Sequence, residues 1–326
     1  MAFVVNQRIG NYECLGIIEK PKVGVTYKVR NVATGEIELL KALPGATSRD
    51  PESVARLLRE IRIQTRLSHP NILEFRDAFD LDGGLVMTTE FVEAPTLADL
   101  CREEALPPKY AIEVTTQVLE ALEQAHALGI VHRGITADHV AVKTDGVVKL
   151  GGFDLAKPAV ANDLTRAGTV AGDPRYISPE QVLGQRVLDA RSDLYSVGVL
   201  LYLALTGRLP FEAQSDFDIL AAKVGSEPPA PSRANPAISP ELDEIVLIAL
   251  RNDPAKRFTS AKQFRAALEA ARSAQPHMQP LTGTSHPAVP CPIVEPQSRR
   301  PLRAAWIVGL AVVIVGVAVV VWLAIH

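Results

Sequence analysis

Two apolar runs govern what this chain can fold into, and length is what separates them. Leu194 to Leu205 is apolar almost all round and ends at Gly207. As a helix it would be about 18 Å long, too short for a bilayer, so it belongs inside a folded domain. Ala304 to Ile325 holds no charged or strongly polar residue. Its ~22 residues would span about 33 Å as a helix, enough for a hydrocarbon core. Trp306 and Trp322 stand near its ends, where an amphipathic ring suits the interface. Arg299, Arg300 and Arg303 precede it, which places the preceding chain in the cytoplasm and the C-terminus outside. Met1 to Gly10 is too short and too mixed for a signal peptide.

The remaining 300 or so residues are enough for one large or two moderate domains. A formal charge of −3 and a pI near 6.2 give no reason to expect nucleic-acid binding. Cys14, Cys101 and Cys291 lie too far apart for a disulfide framework or a zinc pattern, which suits a reducing compartment. Seven prolines and no aromatic residue between Ser273 and Arg303 mark an extended linker without a core.

Tyr12 to Arg30 and Ile37 to Leu43 read as strands. Asp50-Pro51-Glu52 reads as a helix start, with Val54, Leu57, Leu58 and Ile61 following at helical spacing. Ile72 to Phe79 and Leu85 to Val92 read as two further strands joined by a turn at Asp82-Gly83-Gly84. After Pro95 the pattern turns helical. Lys109 to His126 stops at Gly129, Ser239-Pro240-Glu241 opens a helix to about Arg251, and Ser260 caps a last one ending near Ala271.

Five motifs then fall in one order. His132-Arg133 is followed by Gly134, Thr136 and His139; before it stands His69-Pro70-Asn71-Ile72, and after it Ser178-Pro179-Glu180, Asp193 in Ser-Asp-Leu-Tyr-Ser-Val-Gly, and Arg257 in Asp-Pro-Ala-Lys-Arg-Phe. Over roughly Gln7 to Ala271 the chain resembles the bacterial eukaryotic-like (Hanks-type) serine/threonine protein kinases. The resemblance implies an α+β, bilobal fold. A small antiparallel-sheet lobe with one regulatory helix would cover 7–92 and a larger helical lobe 93–271, followed by a linker over 272–303 and a transmembrane helix over 304–325. Glu180 would pair with Arg257, and Asp193 would be buried in the central helix.

Phosphoryl transfer in that family needs a phosphate-covering glycine loop, a strand lysine held by a helix glutamate, a base, and metal ligands. The loop resembles Ile18 to Tyr27, with Glu19 and Pro21 in place of its first two glycines and Gly24 as its third; a plain β-hairpin suits it better. The lysine is Lys41 and its partner Glu60. Leu39, Thr26 and Ala141 replace the residues that shape the family's adenine pocket, and Glu90-Phe91-Val92 would form the hinge after Thr89. If a nucleotide binds, Lys41, Glu60, Gly24, Glu90 and Val92 would hold it.

The catalytic positions are replaced. Gly134 stands for the base, Thr136 for the catalytic-loop lysine and His139 for the metal-binding asparagine. Gly152-Phe153-Asp154 stands for Asp-Phe-Gly, which leaves Gly152 at the metal-ligand position and Asp154 two positions beyond it. Asp173 replaces a threonine that contacts the base and the lysine. These losses fall where charge and protons are handled, while the scaffold motifs survive. The resemblance therefore implies a pseudokinase, needing no cofactor and binding no magnesium, that acts as scaffold or allosteric regulator. Its expected partners are proteins, among them an active kinase of the same family, and the membrane through 304–325. With His326 alone beyond the span, the anchor is expected to localise the domain rather than to relay an external signal. Two alternatives stand beside this: an active kinase using atypical residues such as Asp154 or Asp138, and an ATP-binding switch without catalysis. Thr165 and Thr169 are candidate phosphorylation sites in the segment from Leu155 to Ser178.

Overall fold

The computed structural model describes residues 4–19, 24–43, 50–81, 84–158, 172–185 and 187–274. The first lobe is built on a six-stranded antiparallel sheet in the order β1-β2-β3-β4-β6-β5. Its strands are β1 (Arg8–Ile9), β2 (Tyr12–Glu19), β3 (Val25–Asn31), β4 (Ile37–Ala42), β5 (Phe75–Leu81) and β6 (Gly84–Glu90). Period-two alternation sorts the side chains. Tyr12, Cys14, Tyr27, Val29, Leu40, Ala42 and Val86 form one buried face. Leu39 and Lys41, one step out of phase with Leu40, fall on the other. Register sets Lys41 opposite Thr26 on β3 and Met87 on β6, and Leu39 opposite Thr89.

Helix α1 (Pro51–Gln64) crosses that second face. Asp50 caps it by accepting the Ser53 N–H at 3.0 Å, with Pro51 in the first turn. Its buried side is Ser53, Leu57, Glu60, Ile63 and Gln64, whereas Val54, Leu58 and Ile61 are half-buried. The strand expected over Ile72 to Phe79 begins three residues later, at Phe75. Ile72 forms a single parallel bridge to Leu150 instead, and the Leu73 N–H donates to the Leu150 carbonyl. Val92 likewise lies beyond β6, and residues 82–83 of the expected turn lie outside the described residues.

The second lobe packs α2 (Leu97–Leu100), α3 (Pro108–Ala127), α4 (Pro179–Val182), α5 (Ala190–Thr206), α6 (Asp216–Gly225), α7 (Pro240–Ala249) and α8 (Ala261–Ala274). The short pairs β8 (Val140–Val142) with β9 (Val148–Leu150) and β7 (Ile130–Val131) with β10 (Lys157–Pro158) carry the loops between α3 and α4. Helix α5 is buried on every side from Ser192 to Leu205, as its apolar run requires, and Gly207 ends it at φ 69°. Gly198 lets α7 come close, since a Cβ there would lie 2.8 Å from that of Ala249.

Two buried polar ties fix this lobe. Arg257 grips Glu180 through two bonds of 2.7 and 2.8 Å, and Ser192 adds a third at 2.7 Å. Asn71 donates to Gln117 and to the Val148 carbonyl. Helix α8 runs to Ala274, so 272–274 belong to the domain and not to the expected linker. Cys14 and Cys101 are buried free thiols, and burial pushes Cys101 up to about 12. Among the described residues no helix is long and apolar enough to cross a membrane. The run 304–325 lies outside them, as do Cys291, Thr165 and Thr169.

Candidate functional site

Sheet register and the inner face of α1 bring Lys41 and Glu60 together. The ammonium sits 2.7 and 2.9 Å from the two carboxylate oxygens. Burial pushes the Glu60 carboxyl above its ordinary value; the Lys41 ammonium pulls it down, and Asp154 pushes it up. Asp154 is half-buried in the turn Phe153–Leu155, which packs against α1. Gly24, at φ 88°, lies beside this pair: a Cβ there would stand 3.3 Å from the Ala42 carbonyl and 3.8 Å from Lys41 Cε. Residues 20–23 of the expected hairpin lie outside the described residues. At the hinge, the Glu90 N–H donates to Glu74 and its carboxylate pairs with Lys149 at 2.6 Å, while the Val92 carbonyl accepts from Ala94.

Beneath β7, the loop carrying His132 and Arg133 is held by its backbone. The buried Asp193 carboxylate accepts the His132 N–H at 2.9 Å and the Arg133 N–H at 2.8 Å, and bonds His126 at 2.8 Å. Burial alone would raise that carboxyl; the hydrogen bond and charge of His126, aided by His132 and the Arg133 N–H, hold it below the usual range. Arg133 takes φ 64°, a left-handed conformation uncommon outside glycine, which these bonds and one from Gln181 to its carbonyl secure. His132 is wholly buried, bonded to the Gly151 carbonyl at 2.9 Å and packed on Phe153. Burial lowers its pKa, and it packs as a core residue.

The replaced positions are packed into one another. His139 Nδ1 lies 2.8 Å from the Gly134 carbonyl. A Cβ built on Gly152, which sits at φ 77°, would come 2.5 and 2.7 Å from Cγ and Cε1 of the same imidazole. The ring therefore fills the space that a side chain at 152 would use. A Cβ at Gly134 would meet the Leu155 side chain at 3.2 to 3.5 Å. Thr136 is buried ahead of the turn Ala137–His139, and Asp138 points into solvent. Among the described residues no cluster of His, Cys, Asp or Glu could hold a metal ion. A cavity of about 350 Å³ does lie at the hinge, but Glu36, Ile37, Arg76, Glu90, Phe91 and Glu93 line it, and none of Thr26, Leu39, Lys41 or Ala141 does.

Asp173 has a new partner. Its carboxylate is clasped by the Arg175 guanidinium at 2.5 to 3.1 Å. Behind them, the wholly buried Lys223 of α6 donates to the carbonyls of Arg175 at 2.8 Å and Ile177 at 2.9 Å. Burial pushes its ammonium down to about 7, against the pull of Asp173. Sequence reasoning missed Lys223. Its position four residues after Ile219, on the inward face of α6, was the available signal.

The family model described as "Protein kinase domain" matches residues 12–269. The chain belongs to the protein kinase domain family. Among curated relatives of this kinase domain, the serine/threonine-protein kinase pkn3 of Myxococcus xanthus is 35% identical over 306 residues, covering 89% of this chain and 55% of that protein. The serine/threonine-protein kinase PknB of Mycobacterium leprae is 32% identical over 275 residues, covering 82% of this chain and 44% of its own length. The chain thus spans about half the length of such relatives. The solved kinase domain of Mycobacterium tuberculosis PknI superposes with a TM-score of 0.63 at 25% identity, over 83% of this chain and 99% of that one. The bacterial serine/threonine kinase resemblance and the bilobal fold therefore hold. In this kinase domain the ion pair, the backbone-held loop and the Glu180–Arg257 tie stand as expected, around catalytic positions that carry other residues.

Proposed function

We propose that this chain is a pseudokinase, tethered to the membrane by 304–325 with its kinase domain in the cytoplasm. On this reading it acts as scaffold or allosteric partner for other proteins, an active kinase of the same family among them. The observation that carries the proposal is the His139 ring standing in the side-chain space of Gly152. A metal ligand at 152 is missing, and the volume it would need is taken. Gly134 offers no group to accept a proton, and Thr136 no charge. Of the charges on which phosphoryl transfer depends, the described cleft keeps Lys41 and carries neither a base at 134 nor a metal ligand at 152.

A second reading, an active kinase with atypical residues, draws on two observations. The Lys41–Glu60 pair is formed, and the half-buried Asp154 lies near enough to Glu60 for their charges to interact. The relatives pkn3 and PknB are, moreover, named kinases. One experiment separates the readings. The full chain is titrated with ATP, with and without magnesium, following its melting temperature, and incubated with labelled ATP and a generic acceptor protein. No incorporation and no magnesium-dependent shift support the pseudokinase. Incorporation that vanishes in Lys41→Met establishes the active kinase. A shift without incorporation makes the chain an ATP-binding switch.

A further inference from the structure

Where the segment after α5 meets the turn Pro231–Arg233, the surface sinks into a groove of about 310 Å³. Arg208 and Arg233 line it. Other arginines of this lobe are spoken for: Arg175 holds Asp173, Arg191 holds Asp189, Arg251 holds Glu227 and Arg257 holds Glu180. The guanidinium groups of Arg208 and Arg233 are exposed and bond to no described residue. Tyr202 lines the same groove. It is 3% exposed, yet its hydroxyl has no hydrogen-bond partner among the described residues. Burial raises the pKa of that phenol, Glu212 and Asp243 raise it further and Arg208 lowers it, so it stays a proton donor amid those charges. It is left to bond whatever enters the groove.

The groove is held in shape by its own backbone. The Thr206 hydroxyl donates to the Tyr202 carbonyl at 2.7 Å and accepts the Arg208 N–H at 3.2 Å. On the opposite wall the Asn235 amide donates to the Leu205 carbonyl at 2.8 Å, and the Ser232 N–H donates to Asp243 at 2.8 Å. Pro210 and Pro229 complete the lining, with φ fixed by their rings. Binding therefore has little more to order than two arginine side chains.

Charge decides what fits. A guanidinium group carries donors and no acceptor, so two of them call for an anion with several oxygens. Glu212 also lines the groove; its carboxylate accepts the Leu209 N–H at 3.4 Å and offsets part of the positive charge. A monocarboxylate gains little against it, whereas a phosphate monoester brings close to two charges and three free oxygens. Exposed acids on the flanking helices, Asp216 and Asp218 on α6 and Glu241 and Glu244 on α7, oppose an anionic lipid surface. A discrete anion meets no such barrier.

We propose that this groove binds a phosphate monoester, its oxygens held by Arg208 and Arg233 and by a further bond from the Tyr202 hydroxyl. The site shares no residue with the nucleotide cleft, so the proposal goes beyond the pseudokinase reading and holds whether or not the cleft transfers phosphate. A phosphorylated protein side chain and a small phosphorylated metabolite present the same oxygens.

The test is phosphorus NMR of two probes, each titrated with the full chain in neutral detergent: a glycine-flanked phosphoserine peptide and glycerol phosphate. Broadening of the probe signal gives its dissociation constant. Arg208→Ala and Arg233→Ala are each expected to weaken binding on the order of tenfold while the melting temperature is kept, and Tyr202→Phe severalfold. Tighter binding of the peptide assigns the groove to phosphorylated proteins, tighter binding of glycerol phosphate to metabolites, and either supports the proposal. No broadening of either probe, or affinities that both arginine variants leave unchanged, would overturn it. So would binding that Lys41→Met abolishes and Arg208→Ala spares, since the anion would then sit in the cleft.

Discussion

The imidazole of His139 and the bare α-carbon of Gly152 fit each other: a Cβ at 152 would lie 2.5 Å from Cγ of the ring. A side chain cannot be added at 152 without displacing that ring. Gly152→Asp alone is expected to cost about 1–3 kcal/mol of stability, the usual range for overpacking. Adding His139→Asn is expected to recover the part due to the ring, while the strain of a side chain at φ 77° remains. Urea unfolding of the two single variants and the double variant gives the coupling directly. Additive effects would show that the ring moves aside freely.

The Lys41–Glu60 pair makes a prediction with a sign. Glu60 is buried and its folded pKa is raised, so the folded state holds its proton to higher pH than the unfolded chain does. Its contribution to stability is therefore greatest below the unfolded value and declines as pH rises through the folded one. In Lys41→Met the remaining carboxylate has lost its ammonium partner. The variant is expected to lose roughly 3–5 kcal/mol near pH 7, as broken buried pairs do, and to regain part of it toward pH 4 as Glu60 protonates. Thermal melts of both proteins across pH 4 to 8 measure the difference.

Lys223 predicts the opposite slope. Its folded pKa is about 7, below that of a free lysine, so between about pH 7 and 10 the unfolded chain binds the extra proton. Stability referable to this residue rises with pH across that window, by up to about 1.4 kcal/mol per unit. Lys223→Met removes the slope. It also frees the Arg175 and Ile177 carbonyls, so faster proteolysis around 173–177 is expected to accompany it.

Much of this was legible in the sequence, for a local reason. Asp50 and Pro51 announce α1, Gly129 and Gly207 end their helices at positive φ, and the apolar run of α5 dictates its burial. The positions of Lys41 and Glu60 follow from strand phase and helix phase once the fold is named. What stayed hidden depends on contacts between distant parts of the chain. Ile72 and Leu73 carry strand character, yet they bridge to Leu150 rather than to β6. The Lys223 bonds span 46 and 48 residues, and no periodicity reports where its ammonium ends. The replacements at His139 and Gly152 were readable position by position; that the ring of one occupies the side-chain space of the other was not.

Asp193 reaches the loop of His132 and Arg133 through their peptide nitrogens, and this separates a shape from its contents. A carboxylate that grips main chain is indifferent to which side chain follows at 134. The curve of the loop is thus set by main chain and one buried carboxylate, like a mould whose form does not depend on what is cast in it. The segment from His132 to Gly134 keeps its course through bonds that no side chain at 134 takes part in.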